Sequence, residues 1–180
     1  DALTAIAAIK PFGLGYIEQP IERRDLAGLA EIRRAAGGVP VMADEGLFTL
    51  QDAYALAEAR AVNAFCIKLY KLGGLTAAKK IAAVAEAANI QLNCGGLAVQ
   101  SQLEAAASAH FYTSTPVART MGAAEFVFGL NTTDKDPLSP DSDFKVRDGH
   151  VDVPRGPGLG ITIDEKLLKK NTVLQETVKK

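Results

Sequence analysis

Four polar residues, Glu18, Asp44, Lys68 and Asn93, end four short apolar runs at intervals of 26, 24 and 25 residues. The runs are Leu14–Glu18 (LGYIE), Val41–Asp44 (VMAD), Ala64–Leu69 (AFCIKL) and Ile90–Asn93 (IQLN). Each interval has room for one strand and one crossover helix. Helical patterns fill the gaps: Arg24–Ala36, a helix capped by Thr49 that runs to about Ala59, Gly74–Ala88 and Gln100–His110. A fifth strand is predicted within Val117–Glu125. The repeat predicts parallel strands joined by right-handed crossovers. Two architectures suit it, an open doubly wound sheet and a (β/α)₈ barrel. No glycine-rich turn follows the first strand, which counts against a nucleotide fold. Five units fall short of a full barrel, which needs roughly 250 residues.

Composition separates a body from a tail. All thirty alanines lie at or before Ala124, so the last 56 residues have none. Ala favours helix and close packing, and the body is therefore expected to be built around helices. The tail opens with DPLSPDSDF, a loop signal, followed by KVRDGHVDV, a hairpin signal around Asp148-Gly149. A short helix is predicted from near Asp164, and NTVLQETVKK at the end gives no clear pattern. Twenty basic against twenty-one acidic residues leave a formal charge of −1, which speaks against nucleic acid or an anionic membrane as partner. Cys66 and Cys94 lack metal-knuckle spacing and are expected to be free thiols in a cytoplasmic chain. The chain opens on Asp1 in an alanine-rich helical pattern, and so reads as a piece of something larger.

Strand parity organises the candidate chemistry. Side chains alternate faces with period 2. Tyr16 shares a face with Glu18, Met42 with Asp44, Cys66 with Lys68, and Gln91 with Asn93. Each strand thus carries a polar residue at its carboxyl end, the edge where barrels and open sheets keep their active sites. Two carboxylates aimed into one mouth repel unless a cation joins them, and a hard divalent ion wants oxygen ligands. Glu18 and Asp44 are therefore the expected metal ligands, with a third carboxylate still to be found. Lys68, on the next strand, is the expected general base or acid.

Several strings together resemble one family. YIEQP (Tyr16–Pro20), MADEG (Met42–Gly46) and IKLYKLGG (Ile67–Gly74) are similar to motifs of the enolase superfamily, in its muconate cycloisomerase subgroup. AEAANIQLNCGG (Ala85–Gly96), ASAHF (Ala107–Phe111) and PGLGITIDE (Pro157–Glu165) extend the likeness to about Leu168. The resemblance implies an α/β fold, a partial TIM-like barrel comprising strands 4 to 8 of a (β/α)₇β barrel. Residues 1–130 would be barrel, and residues 131–180 an extension that packs against a capping domain. It makes Glu18 and Asp44 two ligands of Mg²⁺ or Mn²⁺ and Lys68 the catalytic lysine. Glu125 resembles the glutamate that ends the eighth strand and is the second expected catalytic residue. Glu45, Lys71 and Asn93 are expected to orient these groups or meet the substrate, with Lys71 in a loop role beyond its strand and Glu45, which parity points away from Asp44, still near enough to orient Lys68 or the metal shell. His110 resembles a structural position.

The implied reaction is cycloisomerisation of a small carboxylate substrate, with proton transfer alpha to the carboxylate through a metal-stabilised enediolate. The alternatives are an o-succinylbenzoate synthase, an amino-acid racemase or epimerase, or an inactive half-barrel. Ala123-Ala124-Glu125 stands where dipeptide epimerases resemble one another in Asp-x-Asp, which argues against that activity. The family's first metal ligand, its Lys-x-Lys pair and its capping domain would all precede residue 1. The expected partners are thus the N-terminal half, in cis or as another chain, and further copies in a homo-oligomer.

Overall fold

The computed structural model describes residues 1–97, 101–119, 121, 124–130 and 136–176, without the Arg119 side chain. The chain packs as two compact units, residues 1–95 with 111–125, and residues 96–110 with 126–180. Among the described residues no helix is long and apolar enough to cross a membrane.

The first unit holds a parallel sheet of order β1-β2-β3-β4, with β1 Ile17–Glu18, β2 Val41–Ala43, β3 Ala64–Ile67 and β4 Gln91–Cys94. Helix α1 (Ala2–Ile9) precedes the sheet. The crossovers are α2 (Leu26–Ala35), α3 (Leu50–Glu58), and the pair α4 (Leu69–Leu72) and α5 (Leu75–Ala87). Local chemistry sets the helix starts. Asp25 accepts the Gly28 amide at the head of α2. Thr49 and Asp52 exchange side-chain and backbone hydrogen bonds in a capping box at the head of α3. Gly73, left-handed at φ 86°, closes the single turn of α4.

Every residue of β2 and β3 is buried, as expected where both faces of a parallel sheet are covered. Leu29, Ile32, Ala53, Leu56, Ala78, Ile81 and Ala85 are among the buried helix positions. On the opposite face Met42, Ala64 and Cys66 cluster, with Tyr16 and Met121 packed against them. The strand parity read from the sequence is thus the parity of the fold.

Two elements differ from the sequence reading. Strand β1 spans two residues instead of five. Its pairing runs from the Ile17 amide on the Pro40 carbonyl to the Gln19 amide on the Met42 carbonyl. Pro40 has no amide hydrogen to carry the ladder further back. The fifth predicted strand is, among the described residues, one parallel bridge between Cys94 and Ala124. It lies between 3₁₀ turns at Pro116–Arg119 and Glu125–Leu130, and Thr120, Gly122 and Ala123 lie outside the described residues.

In the second unit, the buried carboxylate of Asp136 accepts the Gln102 amide at the head of α6 (Gln102–Thr113) at 2.5 Å. Its other oxygen accepts the Leu138 and Ser139 amides at 2.8 Å and the Ser139 hydroxyl at 3.0 Å. His110 Nε2 lies 3.1 Å from the Leu159 carbonyl oxygen. The hairpin forms as predicted: Arg147 and His150 exchange backbone bonds across Asp148 and Gly149, both at positive φ, as a type I′ turn requires. Gly160 has φ 73°, and a Cβ there would lie 2.6 Å from the Pro154 carbonyl carbon. Helix α7 (Glu165–Asn171) starts on Asp164, whose side chain accepts the Lys166 and Leu167 amides.

Candidate active site

The carboxyl ends of the strands gather the predicted polar residues. Glu18 ends β1, Asp44 follows β2, Lys68 follows β3 and Asn93 lies in β4. Glu125 follows the Ala124 bridge to Cys94. Carboxylate oxygens of Glu18 and Asp44 and the sulfur of Cys66 all lie within 4.8 Å of one another. Lys68 Nζ donates to Asp44 Oδ2. Lys71 Nζ donates to Asp44 Oδ1 at 2.5 Å and to the Asp44 carbonyl at 2.6 Å. Asn93 Nδ2 donates to Glu125 Oε1 at 2.8 Å, and the Tyr16 hydroxyl donates to the same oxygen at 3.1 Å.

The electrostatics follow from this crowding. Burial alone would raise the Asp44 carboxyl, but the hydrogen bonds from Lys68 and Lys71 hold it below the ordinary carboxylate range. Burial works to lower the Lys68 ammonium, and its bond to Asp44 more than offsets this and holds it above the usual lysine value. Glu18 is pushed up to about 7 by burial of its carboxyl and by the hydrogen bond and charge of Asp44, although the residue as a whole stays exposed. Tyr16 is pushed up to about 12 by burial and by the Glu125 carboxylate. Burial, with the charge of Asp44, also raises the Cys66 thiol, which stands protonated.

Backbone geometry supports the cluster. Gln19, at φ 35°, turns its side chain so that Oε1 accepts both the Asp44 and the Gly46 amide at 3.0 Å. Its Nε2 donates to the Ile21 carbonyl at 3.0 Å. Gly95 leaves room for the Lys68 chain, because a Cβ there would meet Cys66 Sγ at 2.6 Å and Lys68 Cε at 2.9 Å.

The sequence reading needs two corrections here. Lys71 is not a loop residue. It sits in α4, where one helical turn swings its ammonium back over Asp44, between that carboxylate and the Phe48 ring 5.6 Å away. Strand parity has no purchase on a side chain that leaves from a helix. Glu45 does not join the cluster. It is exposed and lines a cleft with Arg23, Arg24, Phe48 and Asp52, and among the described residues it makes no ion pair or hydrogen bond with Lys68. Residue 45 alternates away from Asp44, and the turn held by Gln19 does not bring it back. Tyr16, Gln19, Cys66 and Gly95 are site neighbours that the candidate residues did not include. Tyr16 and Cys66 were readable in principle, since each shares a strand face with a candidate.

A parallel α/β sheet that gathers carboxylates and lysines at the carboxyl ends of successive strands is the architecture of a barrel enzyme. Residues 1–167 match the enolase C-terminal domain-like family, and the chain belongs to it. It is 32% identical over 170 residues to a chloromuconate cycloisomerase of Cupriavidus necator, covering 93% of this chain and 43% of the relative. It is 39% identical over 116 residues to the L-Ala-D/L-Glu epimerase of Bacillus subtilis, covering 63% of this chain and 31% of the relative. The crystal structure of 2-chloromuconate cycloisomerase from Rhodococcus opacus 1CP superposes with a TM-score of 0.82 at 36% identity, over 94% of this chain and 45% of that one. The fold is thus a portion of a cycloisomerase-type barrel, and the chain spans less than half the length of the relatives it matches. Those relatives are enzymes, named as cycloisomerases and an epimerase.

Proposed function

We propose that this chain supplies the second half of a cycloisomerase active site, acting on a small unsaturated dicarboxylate of the muconate class. The observation that carries this reading is the convergence of Glu18, Asp44 and Lys68 at one sheet edge. In it, Glu18 and Asp44 are ligands of a divalent cation, Mg²⁺ or Mn²⁺. The donor chemistry suits such an ion, because two carboxylates share one small space and Glu18 is raised to about 7 beside Asp44. When bound, the ion supplies the positive charge that stabilises the developing carboxylate dianion.

The chain's own residues do the rest. Lys68 holds and moves the proton at the carbon alpha to the substrate carboxylate. Its pairing with Asp44 keeps it protonated. Engaging Asp44 elsewhere removes the main influence that holds the ammonium up and leaves burial as the largest one remaining, which moves it toward the range of a base. Lys71 anchors Asp44 from the opposite oxygen. Glu125, fixed by Tyr16 and Asn93, presents its other oxygen as an acceptor near the substrate carboxylate end. On this reading the remaining metal ligand, the Lys-x-Lys pair and a capping domain would lie outside this chain, in an N-terminal half in cis or on another chain, and residues 131–180 would pack against that cap. A homo-oligomer is part of the same reading.

The test is turnover of cis,cis-muconate, 2-chloromuconate and L-Ala-L-Glu by the polypeptide that carries this chain, with Mn²⁺ or Mg²⁺ and with Lys68→Met as control. Metal-dependent loss of muconate that vanishes in Lys68→Met is expected. Epimerisation of the dipeptide without muconate turnover would transfer the assignment to the epimerases, for which the 39% identity to the Bacillus subtilis enzyme speaks.

A further inference from the structure

Gln19 occupies a conformation that its surroundings impose. Its φ is 35°, in the left-handed region that residues other than glycine seldom enter. Pro20 follows it, and a residue before proline is steered toward extended backbone. Such a residue persists only where the structure around it over-determines its place. Four hydrogen bonds do so here. The Gln19 amide donates to the Met42 carbonyl at 2.9 Å. Its Oε1 accepts the Asp44 and Gly46 amides, and its Nε2 donates to the Ile21 carbonyl, all at 3.0 Å. Both ends of the side-chain amide are engaged, and the end of β1 is tied across to the turn that follows β2. That turn is closely fitted, because a Cβ on Gly46 would lie 3.2 Å from both Gln19 Oε1 and the Arg23 carbonyl oxygen.

Asp44 is held in two ways that differ in what they leave free. Lys68 and Lys71 bond its carboxylate oxygens, so a cation that takes those oxygens displaces them. Gln19 bonds the backbone amide of Asp44 and leaves both carboxylate oxygens open. Gln19 also follows Glu18 directly in the chain. One residue therefore fixes the backbone at both carboxylates. We propose that Gln19 is a positioning residue that sets the spacing of Glu18 and Asp44 for a divalent cation. This rests on the reading of those carboxylates as metal ligands and adds what keeps them in place once the lysines release Asp44. Groups that orient a metal ligand without touching the metal contribute to its affinity in this way.

The experiment uses the polypeptide that carries this chain. Mn²⁺ affinity is read by electron paramagnetic resonance, and hydrogen exchange of the Asp44 and Gly46 amides by nitrogen-15 NMR without metal. Gln19→Met keeps the length of the side chain and removes both polar ends. It should speed exchange at both amides and weaken Mn²⁺ binding by about tenfold or more. Gln19→Glu keeps the acceptor and should bind Mn²⁺ no more than about threefold more weakly than wild type. Faster exchange in Gln19→Met with Mn²⁺ affinity within about threefold of wild type would leave the bracket a structural one and overturn the proposal. Equal losses of affinity in Gln19→Met and Gln19→Glu would overturn it too. Glu18→Gln and Asp44→Asn test the ligand reading separately. If either binds Mn²⁺ as wild type does, or if wild type binds none, that reading fails and the proposal falls with it. Should Gln19→Met not fold, Gly46→Ala decides, because its Cβ presses on the Gln19 oxygen. It should move exchange and affinity in the same directions by smaller amounts, and an unchanged Mn²⁺ affinity overturns the proposal.

Discussion

Replacing Asp44 by Ala removes the carboxylate that two ammonium groups share. The Lys71 side chain is 5% exposed, that of Lys68 15% and that of Asp44 4%, so this is a buried triad and not a surface pair. Removing one partner of a buried ion pair costs about 3–5 kcal/mol, mostly the cost of leaving the other charge buried and unpaired. Two ammonium groups are stranded here, but the costs do not simply double. Lys68 has the more exposed side chain and can reach water. Glu18, relieved of the neighbouring charge that now raises it, ionises more readily and takes up part of the lost attraction. The expected loss is therefore about 3–5 kcal/mol in total. Urea unfolding followed by far-ultraviolet circular dichroism would measure it, with an unchanged slope against denaturant as the sign that the folded state is the same. Adding Lys71→Met to Asp44→Ala should recover part of the loss, since it removes the more deeply stranded charge. A loss under about 1 kcal/mol, the scale of solvent-exposed pairs, would refute the view that the triad is held away from water.

The other expectations concern pH and the second unit. The folded-state value of Glu18, about 7, lies above its ordinary 4.5, so its contribution to stability is full below about 4.5 and is lost as pH rises through 7. Glu18→Gln should therefore flatten the pH dependence of the unfolding midpoint between those limits, and an unchanged slope would show that Glu18 does not titrate there. Asp136 is held below the ordinary carboxylate range against the effect of its burial, chiefly by the Gln102, Leu138 and Ser139 amides. Its contribution is present above pH 4 and fades as pH falls. Asp136→Ala should cost about 1–3 kcal/mol at neutral pH and expose the amides of Gln102, Leu138 and Ser139 to faster hydrogen exchange. Unchanged exchange at all three would contradict the bracket.

Much of the first unit was legible because two periodicities agree. The spacing of Glu18, Asp44, Lys68 and Asn93 marks one βα unit per interval, and within each strand the period-2 alternation assigns faces without reference to anything distant. Helix ends were readable where a single side chain fixes them, as Thr49 does for α3 and Asp164 for α7. The hairpin was readable because Asp148-Gly149 tolerates the positive φ that its turn demands. Reading failed where tertiary context decides. Pro40 shortens β1 from the partner strand, which the LGYIE run alone does not show. The last strand is a single bridge at Ala124, too short to leave an alternation.

The site shows the same boundary more sharply. Residues on strands were placed by parity, while those beyond strand ends were not, because a turn can aim a side chain in any direction. Glu45 and Lys71 are the paired example. Both follow a strand's last polar residue, by one position and by three, and both are expected near the cluster, Glu45 even though parity points it away from Asp44. The turn after Asp44, bracketed by Gln19, leaves Glu45 in the cleft with Arg23 and Phe48. The single helical turn after Lys68 returns Lys71 to Asp44. One turn moves a side chain through about 5.4 Å of rise while restoring its direction, so a lysine three residues past Lys68 can meet the same carboxylate from its other oxygen. Asp44 is thereby gripped by two cations, and its neighbour Glu18 is left short of one. That asymmetry comes from the chain's path beyond the strands, and together with the burial of the Glu18 carboxyl it gives the two carboxylates their opposite titration behaviour.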